Sequence, residues 1–123
     1  MIMSKKILVI DDDSMNLKVA EFILSKKGGY EVLRAESGED GIKILDENSV
    51  DLVLLDIEMP GMNGIATLKE IRKNDTYGEI PVMFLSASSD EPAEAAQLHT
   101  LGLITKPFLP TELIEQVEKV IGK

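Results

Sequence analysis

The chain has 123 residues, enough for one domain with its own hydrophobic core, and it contains no cysteine. The lack of cysteine excludes disulfide bonds and thiolate metal sites, and it fits the cytoplasmic location that we expect. A net charge of −9 argues against direct binding to nucleic acid, since phosphate contacts need a basic surface. No apolar run approaches the roughly 18 residues that a membrane span needs, so we expect no membrane association.

The first predicted strand and helix lie at the start of the chain. Residues 7–10 form a continuous apolar run, typical of a buried strand, and three aspartates follow as residues 11–13. The next apolar residues have helical spacing and predict a helix over residues 14–27, capped by Asp13 or Ser14 and ended by two glycines. The predicted buried face of this helix comprises Val19, Ala20, Ile23 and Leu24.

The second and third strands differ in their expected burial. Residues 30–35 alternate between polar and apolar side chains, as in a partly exposed strand. Ser37 and Asp40 have the spacing of a capping box and open a second helix. Residues 52–55 are an unbroken apolar run that leads into Asp56 and predicts a buried third strand, with a third helix after the next turn. The apolar residues of these two helices are Ile42, Ile44, Leu45, Ile65, Leu68 and Ile71.

The fourth and fifth units complete the predicted pattern. Residues 80–85 form a strand, and a weak, alanine-rich helix is predicted to start at Asp90. Residues 103–105 form a short fifth strand, and the last helix starts near Pro110. Five strands thus alternate with five helices. This alternation indicates a single (βα)5 α/β domain, doubly wound, with helices on both faces of a five-stranded parallel sheet.

Chemically active side chains follow four of the predicted strands. Asp11 and Asp12 follow the first strand, Asp56 ends the third, Ser86 the fourth and Lys106 the fifth. Because ligands of α/β proteins bind at the edge where the carboxyl ends of parallel strands meet, we expect these side chains to lie together. Three carboxylates would repel one another unless a cation joined them, and carboxylate oxygens suit Mg²⁺. An aspartate can also attack phosphorus, while lysine and serine can bind a phosphoryl group.

Four segments of the sequence resemble the receiver domain of two-component response regulators, the family that includes the chemotaxis regulator. They are residues 7–13 (ILVIDDD), residues 54–64 (LLDIEMPGMNG), Ser86-Ala87 and Lys106-Pro107-Phe108. The resemblance implies a flavodoxin-like fold with strand order 2-1-3-4-5. It identifies residues 1–123 as one receiver domain without an output domain. The chain would be a stand-alone regulator, or alternatively a receiver excised from a larger regulator or hybrid histidine kinase.

The resemblance also assigns the phosphoacceptor and the metal ligands. Asp56 is implied to accept the phosphoryl group. Mg²⁺, with Mn²⁺ as an alternative ion, is implied to bind Asp11, Asp12, Asp56 and the backbone carbonyl of Glu58. The side chain of Glu58 is expected to be exposed to solvent, with control of the access of water to the phosphoryl group as an alternative role.

Further residues are implied to bind the phosphoryl group and to carry the switch. They are Ser86, Ala87 and Lys106. The Lys106–Pro107 peptide bond is implied to be cis, which an X-Pro bond permits. Two positions depart from the family pattern. Leu103 stands where the family usually has the tyrosine or phenylalanine of the switch, and His99 stands where many members have glycine.

The implied function is a phosphorylation-activated signalling switch of a two-component system or phosphorelay. The donor would be the phosphohistidine of a sensor histidine kinase or of a histidine phosphotransfer protein. Phosphorylation would change the face formed by the predicted fourth helix, the fifth strand and the predicted fifth helix, which would bind a downstream protein target. We expect the chain to catalyse only its own phosphorylation and dephosphorylation, and to be a monomer or a transient homodimer.

Two other classes of protein use similar residues. A haloacid-dehalogenase-like phosphatase also has an aspartate nucleophile and Mg²⁺, but it needs a second aspartate two residues after the nucleophile, where this chain has Glu58. A pseudo-receiver would bind partners without being phosphorylated. The complete acidic cluster and the lysine argue against this second alternative.

Overall fold

A parallel sheet lies at the centre of the computed structural model, which describes residues 4–122. Residues 1–3 and 123, at the ends of the expected domain, lie outside the described residues. The strands are β1 (Lys6–Ile10), β2 (Glu31–Ala35), β3 (Leu52–Asp56), β4 (Val82–Ser86) and β5 (Leu103–Thr105). All neighbouring strands are parallel, in the order β2-β1-β3-β4-β5. The predicted α/β class and the strand order implied by the resemblance are therefore confirmed.

Four α-helices cover the sheet within residues 4–122. They are α1 (Ser14–Phe22), α2 (Gly38–Glu47), α3 (Gly64–Arg72) and α4 (Pro110–Ile121). A π-helical turn, Ile23–Lys27, continues α1, so the predicted helix over residues 14–27 is helical throughout its length. None of these helices is long and apolar enough to cross a membrane.

Side-chain caps fix the starts of the first three helices. The Asp13 carboxylate accepts a hydrogen bond from the Met15 amide at 2.9 Å, so Asp13 rather than Ser14 is the cap of α1. Ser37 caps α2 as predicted, accepting from the Asp40 amide at 3.1 Å. A cap of this kind satisfies a backbone donor that has no partner within the helix.

The core has two layers because alternate strand residues point to opposite faces of the sheet. Ile7 and Val9 of β1 pack in the layer that contains buried residues of α1 and α4. Leu8 and Ile10 pack in the layer that contains buried residues of α2 and α3. All residues of β3 and β4 are buried, which explains their unbroken apolar sequences.

The predicted buried face of α1 is wrong at one position. Val19 is exposed, whereas Leu17 and Ala20 are buried together with Leu24 of the π-helical turn. The buried positions therefore have the spacing i, i+3 and i+7, and Val19 falls beside this stripe rather than within it. The prediction placed the adjacent residues Val19 and Ala20 on the same face and left out Leu17, which belongs to the buried stripe.

The predicted fourth helix is also wrong, because residues 90–101 contain no helix and residues 93–99 form a series of turns. Most backbone hydrogen bonds here span three residues, such as Ala95 N–H to Pro92 O and His99 N–H to Ala96 O. A helix is held to a sheet by large apolar side chains, and Ala95 is the one fully buried residue in this stretch. The segment has capping and alanine signals for a helix but too little apolar surface to pack one.

Two features fix the end of this turn segment. His99 has φ 58°, in the left-handed region that favours glycine, which accounts for glycine being common at this position in the family it resembles. Arg72 of α3 donates hydrogen bonds to the carbonyl oxygens of Leu98 at 2.8 Å and His99 at 3.3 Å. Its guanidinium also donates to the carbonyls of Gly78 and Ile80, so it joins the turn segment to the loop before β4.

We predict that glycine is tolerated in the turn segment. Ala96→Gly should lower the free energy of unfolding by less than about 0.5 kcal/mol, because the exposed Ala96 lies in a turn. In the interior of α2, Lys43→Gly should be about 1 kcal/mol less stable than Lys43→Ala. Urea denaturation measures both differences. A loss of 1 kcal/mol for Ala96→Gly would mean that residues 90–101 are helical in solution.

Candidate functional site

The site lies where four strands end at one edge of the sheet. Asp11 follows β1, Asp56 and Ser86 are the last residues of β3 and β4, and Lys106 follows β5. Backbone hydrogen bonds extend the sheet to these residues, including Asp11 N–H to Ala35 O at 3.0 Å and Lys106 N–H to Ser86 O at 2.8 Å. The parallel register thus brings together side chains that are far apart in the sequence.

Lys106 joins the two buried carboxylates of the site. Its Nζ lies 2.8 Å from Asp11 Oδ2 and 3.1 Å from Asp56 Oδ1. The Asp11 side chain is 0% exposed and that of Asp56 is 2% exposed, while the Lys106 side chain is 16% exposed. Burial strengthens the attraction between each carboxylate and the ammonium group. One ammonium group nevertheless faces two carboxylates, so the negative charge is only partly balanced.

Amide groups orient the same two carboxylates. The Asp13 backbone N–H donates to Asp11 Oδ1 at 2.9 Å, and the side-chain amide of Asn16 approaches Asp11 Oδ2 at 3.5 Å. The Glu58 backbone N–H donates to Asp56 Oδ1 at 3.2 Å. Asn16 was not singled out from the sequence, and its position in the first turn of the helix that follows Asp11 was the only signal available.

The pKa values show that the site is short of positive charge. Burial raises the pKa of Asp56, the charge of Asp11 raises it further, and the hydrogen bond and charge of Lys106 only partly offset this, so the pKa is about 7. Burial lowers the pKa of Lys106, but its contacts with Asp11 and Asp56 outweigh burial and hold that pKa above its ordinary value. The ammonium group is therefore charged at neutral pH, whereas ionisation of Asp56 costs free energy because the group is buried and lies beside Asp11.

Three carboxylates form a cluster that fits a divalent cation. One oxygen each from Asp11, Asp12 and Asp56 lies within 4.8 Å of the others. Around Mg²⁺, with ligand distances of roughly 2.1 Å, adjacent oxygens are about 3 Å apart and opposite ones about 4 Å, so the three carboxylates would have to move closer together to bind the ion. Asp12 is exposed, which leaves room for the waters that Mg²⁺ keeps. The fourth ligand implied by the resemblance, the Glu58 carbonyl, stays a prediction.

The carboxylate of Glu58 has a position that the sequence did not suggest. The Ser86 hydroxyl donates to Glu58 Oε2 at 2.9 Å, and the Ala87 backbone N–H approaches Oε1 at 3.2 Å. Ser86 is buried at 1% exposure and its Oγ also accepts from the Ser88 backbone N–H at 3.1 Å. Glu58 is thus exposed, as expected, but its carboxylate makes two contacts that the expectation did not include.

Two other positions named from the sequence lie next to the site. The Lys106–Pro107 peptide bond is cis, as the resemblance implied. Leu103 is half-buried in β5, opposite Phe84 of β4, and packs against the core layer that contains Phe84. An aliphatic side chain thus fills the position at which the family usually has an aromatic ring.

Solved structures with the same architecture include a chemotaxis response regulator and response regulator receiver domains. The chain is similar to the chemotaxis response regulator CheY4 of Vibrio cholerae, with 25% identity, a TM-score of 0.88 and coverage of 97% of this chain and 100% of that one. It is 32% identical to a CheY-like response regulator receiver domain protein from Methanospirillum hungatei, with a TM-score of 0.85 and coverage of 96% and 94%. The fold and the site thus define a CheY-like receiver.

Sequence comparison places the chain within a family. Residues 7–118 match the response regulator receiver domain. The N-terminal domain of a response regulator receiver protein from Methanoculleus marisnigri is 37% identical, with a TM-score of 0.78 and coverage of 96% of this chain and 97% of that one. This chain belongs to the response regulator receiver domain family, whose members are switches of two-component signalling rather than metabolic enzymes.

Asp56→Asn should stabilise the metal-free protein at alkaline pH. The pKa of Asp56 is raised to about 7, so the folded state favours its neutral form, and this stability is lost as pH rises from about 4 through 7. Asparagine stays neutral, so the melting temperature of the variant in EDTA should exceed that of the wild type by roughly 5 °C at pH 8 and by much less at pH 4.5.

Thermal melts at the two pH values measure this difference. Asp75→Asn, which removes an exposed carboxylate, should match the wild type at both pH values. A variant of Asp56 that melts below the wild type at pH 8 would contradict the repulsion between the buried carboxylates.

Proposed function

We propose that this receiver is a phosphorylation-activated switch in which Asp56 accepts a phosphoryl group from the phosphohistidine of a sensor histidine kinase or a histidine phosphotransfer protein. The observation that supports the proposal is the buried Asp56 carboxylate, held by Lys106 beside the carboxylates of Asp11 and Asp12. Such a constellation places a nucleophile, a fixed ammonium group and a cation site within a few ångströms. A cytoplasmic location goes with this function, because ATP is the source of the phosphoryl group.

In the proposed reaction an Asp56 carboxylate oxygen attacks phosphorus as the bond to the histidine nitrogen breaks. The electron pair of that bond returns to the imidazole, and the product is an acyl phosphate on Asp56. Lys106 stabilises the negative charge on the phosphoryl oxygens. Mg²⁺ held by Asp11, Asp12, Asp56 and the Glu58 carbonyl, or Mn²⁺ in its place, would supply the positive charge that lets a dianion approach these carboxylates.

The phosphoryl group would then act on β4 and β5. Ser86 and the Ala87 amide can donate hydrogen bonds to its oxygens, which would draw the loop after β4 toward Asp56. The surface that responds comprises residues 90–101, β5 and α4, and it corresponds to the face implied by the resemblance. Residues 90–101 have little buried apolar surface, so a rearrangement there costs little. A downstream protein target would read this surface.

The donor protein would dock on an apolar patch beside the site. This docking patch comprises the exposed side chains of Met15, Val19, Phe22 and Leu109. A groove of about 350 Å³ runs between α1 and the start of α4, lined in part by Val19, Phe22 and Phe108. Both elements begin close to the site, after Asp13 and Lys106. A protein seated there can therefore bring a phosphohistidine to Asp56, which explains why large apolar side chains are exposed.

Acetyl phosphate, a small phosphoryl donor, tests the chemistry of the proposal. With Mg²⁺ the chain should gain the mass of one phosphoryl group, mapped to Asp56, and EDTA should prevent the gain. Asp56→Asn should abolish labelling, while Asp51→Asn, at an exposed aspartate before β3, should not change it. Mass spectrometry of the intact and digested protein measures both. Rapid turnover of phosphate esters without stoichiometric labelling would instead favour a phosphatase.

Phe22→Ala tests the docking patch. Phosphotransfer from a phosphorylated histidine phosphotransfer protein should slow roughly tenfold, because a buried aromatic contact contributes about 1.4 kcal/mol or more. Labelling by acetyl phosphate should be unchanged, since Asp56 and its neighbours are intact. Leu101→Ala is the matched control, because Leu101 is equally exposed but lies at the other end of β5. Equal slowing by both variants would count against this patch.

A further inference from the structure

The carboxylate of Glu58 binds the same two donors that a phosphoryl group on Asp56 would need. The Ser86 hydroxyl and the Ala87 backbone N–H both point to this carboxylate, with donor–acceptor distances of 2.9 and 3.2 Å. Neither contact was expected from the sequence. Ser86 is the last residue of β4 and Ala87 the first residue after it, whereas Glu58 lies in the loop after β3, so the contact joins the ends of two neighbouring strands.

These donors cannot serve two anions at once. A hydroxyl group carries one proton and a backbone amide carries one, so each makes one strong hydrogen bond. The Ser86 oxygen is also fixed from the other side, because it accepts from the Ser88 N–H at 3.1 Å. Its proton is therefore directed at Glu58 Oε2. Hydrogen bonds to an ionised carboxylate are about twice as strong as neutral ones, so the contact competes effectively with another anion.

We propose that Glu58 is an internal competitor of the phosphoryl group, which holds the loop after β4 in its resting position until phosphorylation displaces it. We call the contact of Glu58 with Ser86 and Ala87 the Glu58 clamp. The inference rests on the proposed function, since it concerns the ligand of the same site. Glu58 is exposed as a residue, so its side chain can move into solvent without disturbing the core. Glu58 is a positioning residue, because it acts through Ser86 and Ala87.

The clamp sets how readily the switch is activated. A phosphoryl group must break two hydrogen bonds before it can form its own, so the clamp lowers its apparent affinity for the loop and raises the population of the resting form. The departure of a carboxylate from the site also reduces the negative charge that faces the phosphoryl oxygens. The clamp therefore favours a switch that stays off until a phosphoryl group is covalently attached.

Glu58→Ala and Glu58→Gln separate the hydrogen bonds from the charge. Both variants keep the backbone carbonyl that is proposed as a metal ligand. Alanine removes the acceptor and the charge, whereas glutamine removes the charge but keeps an oxygen that can accept from Ser86 and Ala87. Glu115→Gln removes one charge from an exposed position in α4 and is the matched control for net charge.

The first measurement is amide hydrogen exchange of the unphosphorylated chain by NMR. The Ala87 N–H should exchange roughly tenfold faster in Glu58→Ala than in the wild type, with Glu58→Gln between them, because the clamp protects this proton. Glu115→Gln should leave the rate unchanged. An unchanged Ala87 rate in Glu58→Ala would overturn the inference without reference to phosphorylation.

The second measurement is the affinity for beryllium fluoride in the presence of Mg²⁺, as a probe that mimics a phosphoryl group on a carboxylate. The apparent Kd should fall roughly tenfold in Glu58→Ala and by a smaller factor in Glu58→Gln. The effect of Glu58→Ala should shrink in a Ser86→Ala background, where one hydrogen bond of the clamp is already missing. An equal Kd for the wild type and Glu58→Ala, or an equal gain from Glu115→Gln, would overturn the clamp.

These outcomes distinguish the inference from the function on which it rests. If neither the wild type nor any variant binds beryllium fluoride, the proposed function fails and the competition fails with it. If the wild type and Glu58→Ala bind it equally well, the function stands and the clamp alone is refuted.

Discussion

The structure depends on one electrostatic constraint, the burial of two carboxylates against a single ammonium group at the edge of a parallel sheet. Asp11 and Asp56 cannot both be neutralised by Lys106, and the exposed Asp12 adds a third negative charge nearby. Buried charges are tolerated only when paired and hydrogen-bonded, and here backbone amides of the adjoining loops supply the remaining contacts. The residual negative charge is what a cation would balance, so the resting site is built to respond to added charge.

The same constraint connects chemistry to movement. The loops that hold the carboxylates also carry the groups that would bind a phosphoryl group, because each strand ends at the site and its loop begins there. Glu58 makes hydrogen bonds in both directions. Its backbone N–H donates to Asp56, and its carboxylate accepts from the Ser86 hydroxyl. Glu58 thus contacts both the proposed nucleophile and the strand end that is proposed to respond to it.

The sheet and the strand-end residues could be predicted from the sequence, because apolar runs followed by polar residues determine both. The strand order could not, since it came from the family resemblance and not from the residues. The helix prediction for residues 90–101 was wrong because a capping residue and several alanines do not show whether enough apolar side chains are present to pack a helix against the sheet. The predicted burial of Val19 was wrong because helical spacing alone does not separate it from Ala20, the adjacent apolar residue. The contact between Glu58 and Ser86 could not be predicted, because the two residues are 28 positions apart and no local sequence pattern indicates that they meet.

The hydrogen bonds of Arg72 determine where such a movement can end. Its guanidinium holds the carbonyls of Leu98 and His99 to the loop before β4, at the far end of the turn segment from Ser86. A displacement that starts at Ala87 therefore meets, eleven to twelve residues later, two carbonyl groups that are held by the Arg72 guanidinium. Residues 88–97 can therefore change conformation while the carbonyls of Leu98 and His99 stay bound to Arg72. Within the surface proposed to respond to phosphorylation, residues 90–97 are the part of the turn segment that the Arg72 hydrogen bonds do not hold in place.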